Sequence, residues 1–361
     1  MNFNDNNTSV YNGKRLKLSV FGASHAEEIG VTVTGLDNQS YDQEDLQKFL
    51  DRRKPKKSAY STTRKEDDRV EVTNGLLDGK IKGEYRAVIK NNGMRSQDYQ
   101  NTVKIPRPSH ADFVAWTKYG DGFDYRGGGK FSGRLTAPIC IAGGICKQLL
   151  EKKGIKINAY LSSIGKEKAK SYRDIDVESF DFAKLDLEFP VLDVNDKQRL
   201  LNEIERARVS LDSVGGAIEC VVTGVPVGTG EYMFDSIESV ISHLAFAVPA
   251  VKGIEFGAGF DFCSMNGSIA NDPFYYDGDK VKTKTNNNGG INGGMANGMP
   301  ITFRVAVKPT PSIAKEQDTV DLNKRTNVKL CVSGRHDACI VPRAVPVIEA
   351  ITAIAIYDLI Q

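Results

Sequence analysis

RPSHADFVAWTKYGDGFDYRGGGKFSGRLTAPICIAGGICK, residues 107–147, decides how the rest of this chain is read. It opens on a Pro-framed histidine, His110, passes a short aromatic helix pattern and reaches three consecutive glycines, Gly127 to Gly129. Consecutive glycines let the backbone turn its N–H groups toward one point, and a helix start adds the positive end of its dipole there. Arg126, Lys130 and Arg134 crowd the same stretch, so it reads as a place where an anion is held. Residues 134–152, rich in Ala, Gly, Ile and Cys, predict a helix small enough for close packing inside the protein.

Working outward toward the N-terminus, KRLKLSV (14–20) and IGVTVTGL (29–36) read as strands around the turn Gly22-Ala23-Ser24-His25. Asp42 or Asp45 caps a helix whose apolar face holds Leu46, Phe49 and Leu50 and which ends in Arg52-Arg53-Lys54. The basic loop 54–68 has no apolar periodicity and reads either as a solvated loop or as a flap over an acidic ligand. RVEVTNGLLDGKIKGEYRAVIKN then predicts antiparallel strands separated by glycine turns.

Toward the C-terminus, IKINAYLSSIG reads as a strand, about 165–195 as an irregular acidic insertion on the surface, and 195–210 as a charged amphipathic helix. AIECVVTGVPVG predicts a strand, and DSIESVISHLAFAVPAVKG a helix interrupted near Pro249, with His243 expected on its core face. The Gly/Asn-rich segment 284–300 reads either as a plain loop or as one that lets backbone approach a planar ligand, ahead of strand ITFRVAVKPTPSI. SGRHDACIVPRAVP reads as a loop and 347–360 as a final apolar helix. Elements come in clusters without regular βα alternation, which favours α+β with antiparallel sheets, in one domain over 1–361.

Charges nearly cancel, 48 Lys and Arg against 46 Asp and Glu among 361 residues, which argues against a nucleic-acid binder. No window approaches the roughly twenty apolar residues of a membrane span, and the polar start carries no apolar signal segment, so a soluble, cytoplasmic protein is expected. Six cysteines form no CxxC and no Cys/His cluster at zinc spacing, so no metal is expected. Neither GxGxxG between strand and helix nor GxxxxGK[ST] occurs.

Three of the four histidines, His25, His110 and His336, lie in loops rich in Gly, Ser, Arg or Pro, in company with Arg53, Arg107, Arg126, Arg134 and Arg335. Arginine forks suit carboxylates and phosphates, and a histidine beside such anions acts as a general acid toward a leaving phosphate. The alternatives are scattered surface ion pairs, a metal held by His25, His110 and Asp337, or a hydrolase from Ser24, His110 and Asp337, though no GxSxG elbow is present. The residues alone reach an enzyme acting on a small polyanion.

At this point the blocks resemble a family. FGASHAEEIGVTVTGL, RPSHADFVAWTKYGDGFDYRGGGKFSGR, DSVGGAIECVVTGVP, GGINGGMANGMPITFRVAVKPTPSI and GRHDACIVPRAVPVIEA are similar, in order, to the signatures of the chorismate synthases. That resemblance implies a β-α-β sandwich with antiparallel sheets outside and helices between, usually a homotetramer. It implies 1,4-anti elimination of phosphate from 5-enolpyruvylshikimate 3-phosphate, giving chorismate, with reduced FMN required although there is no net redox change. By the same resemblance His25 protonates the departing phosphate and His110 keeps the flavin suitably protonated, while Ser24, Ser132 and Asp337 relay a proton. Arg53, Arg107, Arg134 and Arg335 match substrate clamps. FMN positions are Arg53, Lys130, Phe131, Ser132, Pro249, Ala250, Gly293, Lys308, Pro309, Thr310, Pro311, Ser312 and Arg335.

The chain departs from the family pattern at Ala23, Ala26, Ala59 and Lys130-Phe131, and carries two extra residues around Asp121-Gly122. An external flavin reductant is expected, with NADPH-dependent reduction by the protein itself left open. A flavin-binding reductase or sensor that kept the pocket is the competing class, and phosphate release separates the two.

Overall fold

In β3 (Glu28–Thr34), Ile29, Val31 and Val33 are fully buried, and they pair across the ladder with Ile89, Ala87 and Tyr85 of β5 (Lys80–Lys90), buried as well. A two-residue period of this kind puts one face of an antiparallel sheet on the core. The sheet has the order β1-β2-β3-β5-β4, with β1 at Thr8–Asn12, β2 at Lys17–Gly22 and β4 at Glu71–Leu77, all neighbours antiparallel. Between β3 and β4 runs α1 (Gln43–Asp51), capped by the Asp42 carboxylate, which accepts from the Asp45 amide at 2.9 Å. This computed structural model describes residues 8–55, 68–91, 104–332 and 337–360.

The next elements are α2 (Asp112–Tyr119), α3 (Thr136–Glu151), β6 (Lys156–Ile164), β7 (Glu167–Lys168), α4 (Val194–Val209), β8 (Gly216–Thr223), α5 (Ile237–Ala247) and β9 (Val251–Phe256). After them come α6 (Gly267–Ala270), the hairpin β10 (Phe274–Asp277) with β11 (Lys280–Thr283), and the short pair β12 (Ile291–Asn292) with β13 (Met295–Ala296). β14 (Ile301–Val307), the hairpin β15 (Gln317–Asp321) with β16 (Thr326–Leu330), and α7 (Val341–Leu359) complete the order. A second antiparallel sheet, β7-β6-β8-β14-β9, forms from these.

Helices α3 and α7 lie between the sheets, α3 against β3 and β5, and α7 against β6 and β8. Their contact is close because α3 presents glycine: a Cβ at Gly143 would fall 2.4 Å from that of Ala350. Ile348, Ile351, Ile354 and Ile356 of α7 are buried, each worth about 1.5–3 kcal/mol in apolar area removed from water. The expected β-α-β sandwich with antiparallel outer sheets is the observed fold.

Four expectations need correction. The helix does not resume after Pro249: α5 ends at Ala247, Val248 is extended, and Val251–Phe256 is β9. The last helix starts at Val341, not 347, so VPRAVP is helical. Pro342 lies in the first turn, where its missing N–H removes no bond, and only Pro346 interrupts the ladder. His243 is exposed, because Ile237, Ile241, Leu244 and Ala245 define the buried face of α5 and position 243 falls off it. Its ring instead meets Tyr11 edge-on, centroids 5.6 Å apart. Segment 165–195 is not irregular throughout: it supplies the edge strand β7, and Tyr172, Ile175, Val177, Phe180, Phe182 and Leu185 cover Tyr160, Leu192 and Val221 in a second apolar cluster.

Candidate active site

The turn after β2 and the glycine loop are tied directly together. The Ser24 amide donates to the Gly129 carbonyl at 3.1 Å. Gly127, Gly128 and Gly129 all have positive φ, at 58°, 86° and 55°, a conformation glycine adopts without a steric penalty. A Cβ on Gly127 would lie 2.6 Å from His25 Cε1 and 2.5 Å from Ser24 Oγ. One on Gly128 would lie 3.2 Å from His110 Nε2. Two histidines 85 positions apart in sequence thus stand over neighbouring glycines.

His110 is held from its other side. Its Nδ1 is 2.6 Å from Asp112 Oδ1 and 3.0 Å from Arg107 Nη2. Arg107, buried, gives its backbone N–H, Nε and Nη2 to the Asp112 carboxylate at 3.0, 2.7 and 2.8 Å, and Nη1 to Ser312 Oγ at 3.1 Å. Burial would raise the Asp112 carboxyl, but hydrogen bonds from Arg107 and His110 with their charges hold it well below the usual carboxylate range.

Arg53 and Arg134 share a different acid, Asp68, whose carboxylate hydrogen-bonds both. Asp68 is 1% exposed. Burial pushes this carboxyl up, and the two guanidinium charges and hydrogen bonds more than reverse that, so it sits below its ordinary range. Arg134 Nε also donates to Asn91 Oδ1 at 3.1 Å, and its backbone N–H to Ser132 Oγ at 3.3 Å. The Arg53 carbonyl accepts from Arg343 Nε at 3.0 Å, and Arg343 Nη1 reaches Asp337 Oδ2 at 2.7 Å. A hydrogen-bonded line therefore runs from Arg134 through Asp68 to Arg53, and from the Arg53 backbone carbonyl through Arg343 to Asp337.

Lys308 follows β14, and its backbone N–H donates to the Ala250 carbonyl at 2.9 Å, which brings Pro249 and Ala250 beside Lys308–Ser312. Lys308 Nζ reaches the Ser109 carbonyl at 2.6 Å, and burial, with Lys252 nearby, lowers its pKa. Thr310 Oγ1 donates to the Asp337 carbonyl at 3.2 Å. Loops 107–112, 249–250, 308–312 and 337 therefore converge. Gly293 does not join them. The Gly294 carbonyl accepts from Ile237, the first residue of α5, and α5 separates it from Pro249 by about 16 Å of helix.

The three cations expected to crowd one point each take a different partner. Arg126 pairs with Asp124 at 2.8 Å, Lys130 Nζ stands 3.7 Å over the Tyr119 ring, and Arg134 turns to Asp68. Phe131 packs on Phe123 with ring centroids 5.7 Å apart. Asn286 donates to the Pro300 carbonyl, and Asn287 and Asn288 donate to Asp272, Asn287 also to the Ile269 and Ala270 carbonyls, at the end of β14 away from Lys308. Arg335, His336, Ala59 and most of the basic loop lie outside the described residues. Asp112, Asp68, Asn91 and Arg343 were missed: Asp112 reads as a first-turn acid of α2, and Asp68 as one charge among many in RKEDD.

The model of the family described as chorismate synthase matches residues 16–361. The chain belongs to the chorismate synthase family. Chorismate synthase of Korarchaeum cryptofilum is 43% identical over 350 residues, covering 96% of both chains. That of Thermococcus kodakarensis is 44% identical over 349 residues, with 96% of each covered. A crystal structure of chorismate synthase superposes with a TM-score of 0.72 at 24% identity, over 96% of this chain and 92% of that one, and so shows the same fold. The activity is that of a chorismate synthase, a lyase, and the family implies a reduced flavin cofactor. Among the described residues no helix is long and apolar enough to cross a membrane, and no group of His, Cys, Asp or Glu has metal-ligand geometry.

Proposed function

We propose that this chain uses reduced FMN at the cleft around Gly127 and Gly128 to eliminate phosphate from 5-enolpyruvylshikimate 3-phosphate. The observation that carries the reading is the placement of His25 over Gly127 and His110 over Gly128, with no side chain between the rings and the glycine backbone. The residues present fit the cofactor. Lys308 with the hydroxyls of Thr310 and Ser312 offers a cation and polar groups suited to a phosphate tail. Pro249, Ala250, Pro309, Pro311, Lys130, Phe131 and Arg335 would line the same space. Gly293 would contribute only if it reached the cofactor from another direction.

Bound there, reduced flavin would supply a transient electron for the elimination, with no net redox change. His25, beside Ser24, donates a proton to the departing phosphate, which lowers the charge on the leaving group. His110 holds a proton at the cofactor's edge. Arg53 and Arg134 bind substrate anions, while Ser24, Ser132 and Asp337 serve proton movement on the other side. Arg107 acts chiefly by bracing Asp112 and Ser312, since its donors go to them.

The protein is read as cytoplasmic and homotetrameric, with its flavin reduced by an external donor. Anaerobic assay with dithionite-reduced FMN should release phosphate and chorismate in equal amounts. Flavin binding without phosphate release would favour the reductase or sensor reading. Turnover with NADPH and oxidised FMN alone would overturn the external-donor part and make the enzyme bifunctional.

A further inference from the structure

His110 stands between two groups that make opposite demands of one nitrogen. Its Nδ1 lies 2.6 Å from Asp112 Oδ1 and 3.0 Å from Arg107 Nη2. A carboxylate oxygen accepts and a guanidinium donates, so a neutral ring can satisfy one of them at Nδ1 and not both. Two lone pairs facing each other at 2.6 Å would repel, whereas Arg107 Nη2 carries two hydrogens and keeps one of them on Asp112 Oδ1 at 2.8 Å whichever ring nitrogen is protonated. The proton therefore belongs on Nδ1.

We propose that Asp112 is a positioning residue that keeps the His110 proton on Nδ1 and leaves Nε2, which faces Gly128, as the working atom. The charged groups around the ring agree with this. Arg107 neutralises the carboxylate through its backbone N–H, Nε and Nη2 and is itself fixed by Ser312. Lys308 approaches the loop at the Ser109 carbonyl, one residue from the ring. A carboxylate on one ring nitrogen fixes the tautomer and leaves the lone pair on the other. That suits a group which takes a proton and returns it. The consequence for turnover rests on the role proposed for His110 above; the tautomer does not.

The test is imidazole nitrogen NMR on ¹⁵N-histidine protein without flavin, at about pH 9, well above the ordinary histidine range. Only four histidines contribute, and a His110→Gln spectrum identifies the resonance. The expected result is an Nδ1–H ring at His110. Asp112→Asn should reverse it. The amide oxygen will take the Oδ2 position, where Arg107 N and Nε converge, and the amide nitrogen at Oδ1 will donate to Nδ1. In parallel, kcat with reduced FMN supplied should fall roughly ten- to a hundredfold, as when an outer partner of a working histidine is lost, with KM little changed. An Nε2–H ring in the unmodified protein overturns the proposal, whether or not the variant folds. So does an unchanged tautomer in folded Asp112→Asn, which would make the acid only an anchor for Arg107. A confirmed tautomer with full activity in His110→Gln would instead sink the role given to His110.

Discussion

Gly127 and His25 are in contact through space that no side chain could share. A Cβ on Gly127 would stand 2.6 Å from His25 Cε1, and its φ of 58° is in the left-handed region. Gly127→Ala should therefore both strain the loop and push the imidazole aside. We expect turnover to fall at least about tenfold, since misplacement of a working group by an ångström has effects of that size or more. Circular dichroism and kcat measured together check it: a folded variant with normal kcat would mean that His25 has no fixed place in the chemistry.

His25→Ala and His110→Ala should each lower kcat by roughly two to four orders of magnitude, the range for a lost acid or base. Reduced FMN must be supplied in the assay so that flavin reduction is not limiting. Near-normal turnover in either variant would remove that histidine from the mechanism.

Asp68 is buried between Arg53 and Arg134, so removing its charge leaves two cations facing each other. Asp68→Asn should cost about 3–5 kcal/mol of stability near neutral pH, as for other broken buried ion pairs. Because the folded-state pKa is depressed, the stabilising contribution is full above the unfolded aspartate value of about 3.9 and is lost as pH falls through the lower folded value. Thermal melts from neutral to acid pH should then show the gap between parent and variant closing only in the acid range. A gap independent of pH would mean that the charge of Asp68 is not what matters.

Glu349 of α7 receives Arg52 through two hydrogen bonds, at 2.7 and 2.8 Å, and lies near Lys147 of α3 at 3.8 Å. Burial opposes its charge, yet Arg52 and Lys147 hold its pKa below the usual range. Glu349→Leu alone should destabilise by about 3–5 kcal/mol, whereas Arg52→Met with Glu349→Leu should recover much of that loss. Denaturant unfolding of the two singles and the double reads the coupling, and strictly additive losses would show that the pair does not act as a unit.

Local pattern was enough for most elements. Ile29, Val31 and Val33 alternate because a strand has a period of two, and Asp42 caps α1 because its carboxylate meets a free amide three residues on. The same logic failed where a local signal had two meanings. Pro342 and Pro346 read as loop because proline ends helices in general, but a first-turn proline does not. His243 read as core because its neighbours are apolar, although its angular position on α5 turns it outward.

By itself the sequence determined that glycines 127–129 are free to adopt backbone forms other residues avoid, that His25 and His110 sit in loops beside basic groups, and that the chain carries five family blocks in order. Only the tertiary structure decided which acid holds which base. Arg107 meets Ser312 across 205 positions, Arg53 and Arg134 meet over Asp68, and Gly293 is kept from Lys308 by the lengths of α5 and β14. The physical reason is range. Helix and strand periods, caps and turn conformations depend on a few neighbouring residues, whereas a buried ion pair depends on how the two sheets and the helices between them bring distant loops together.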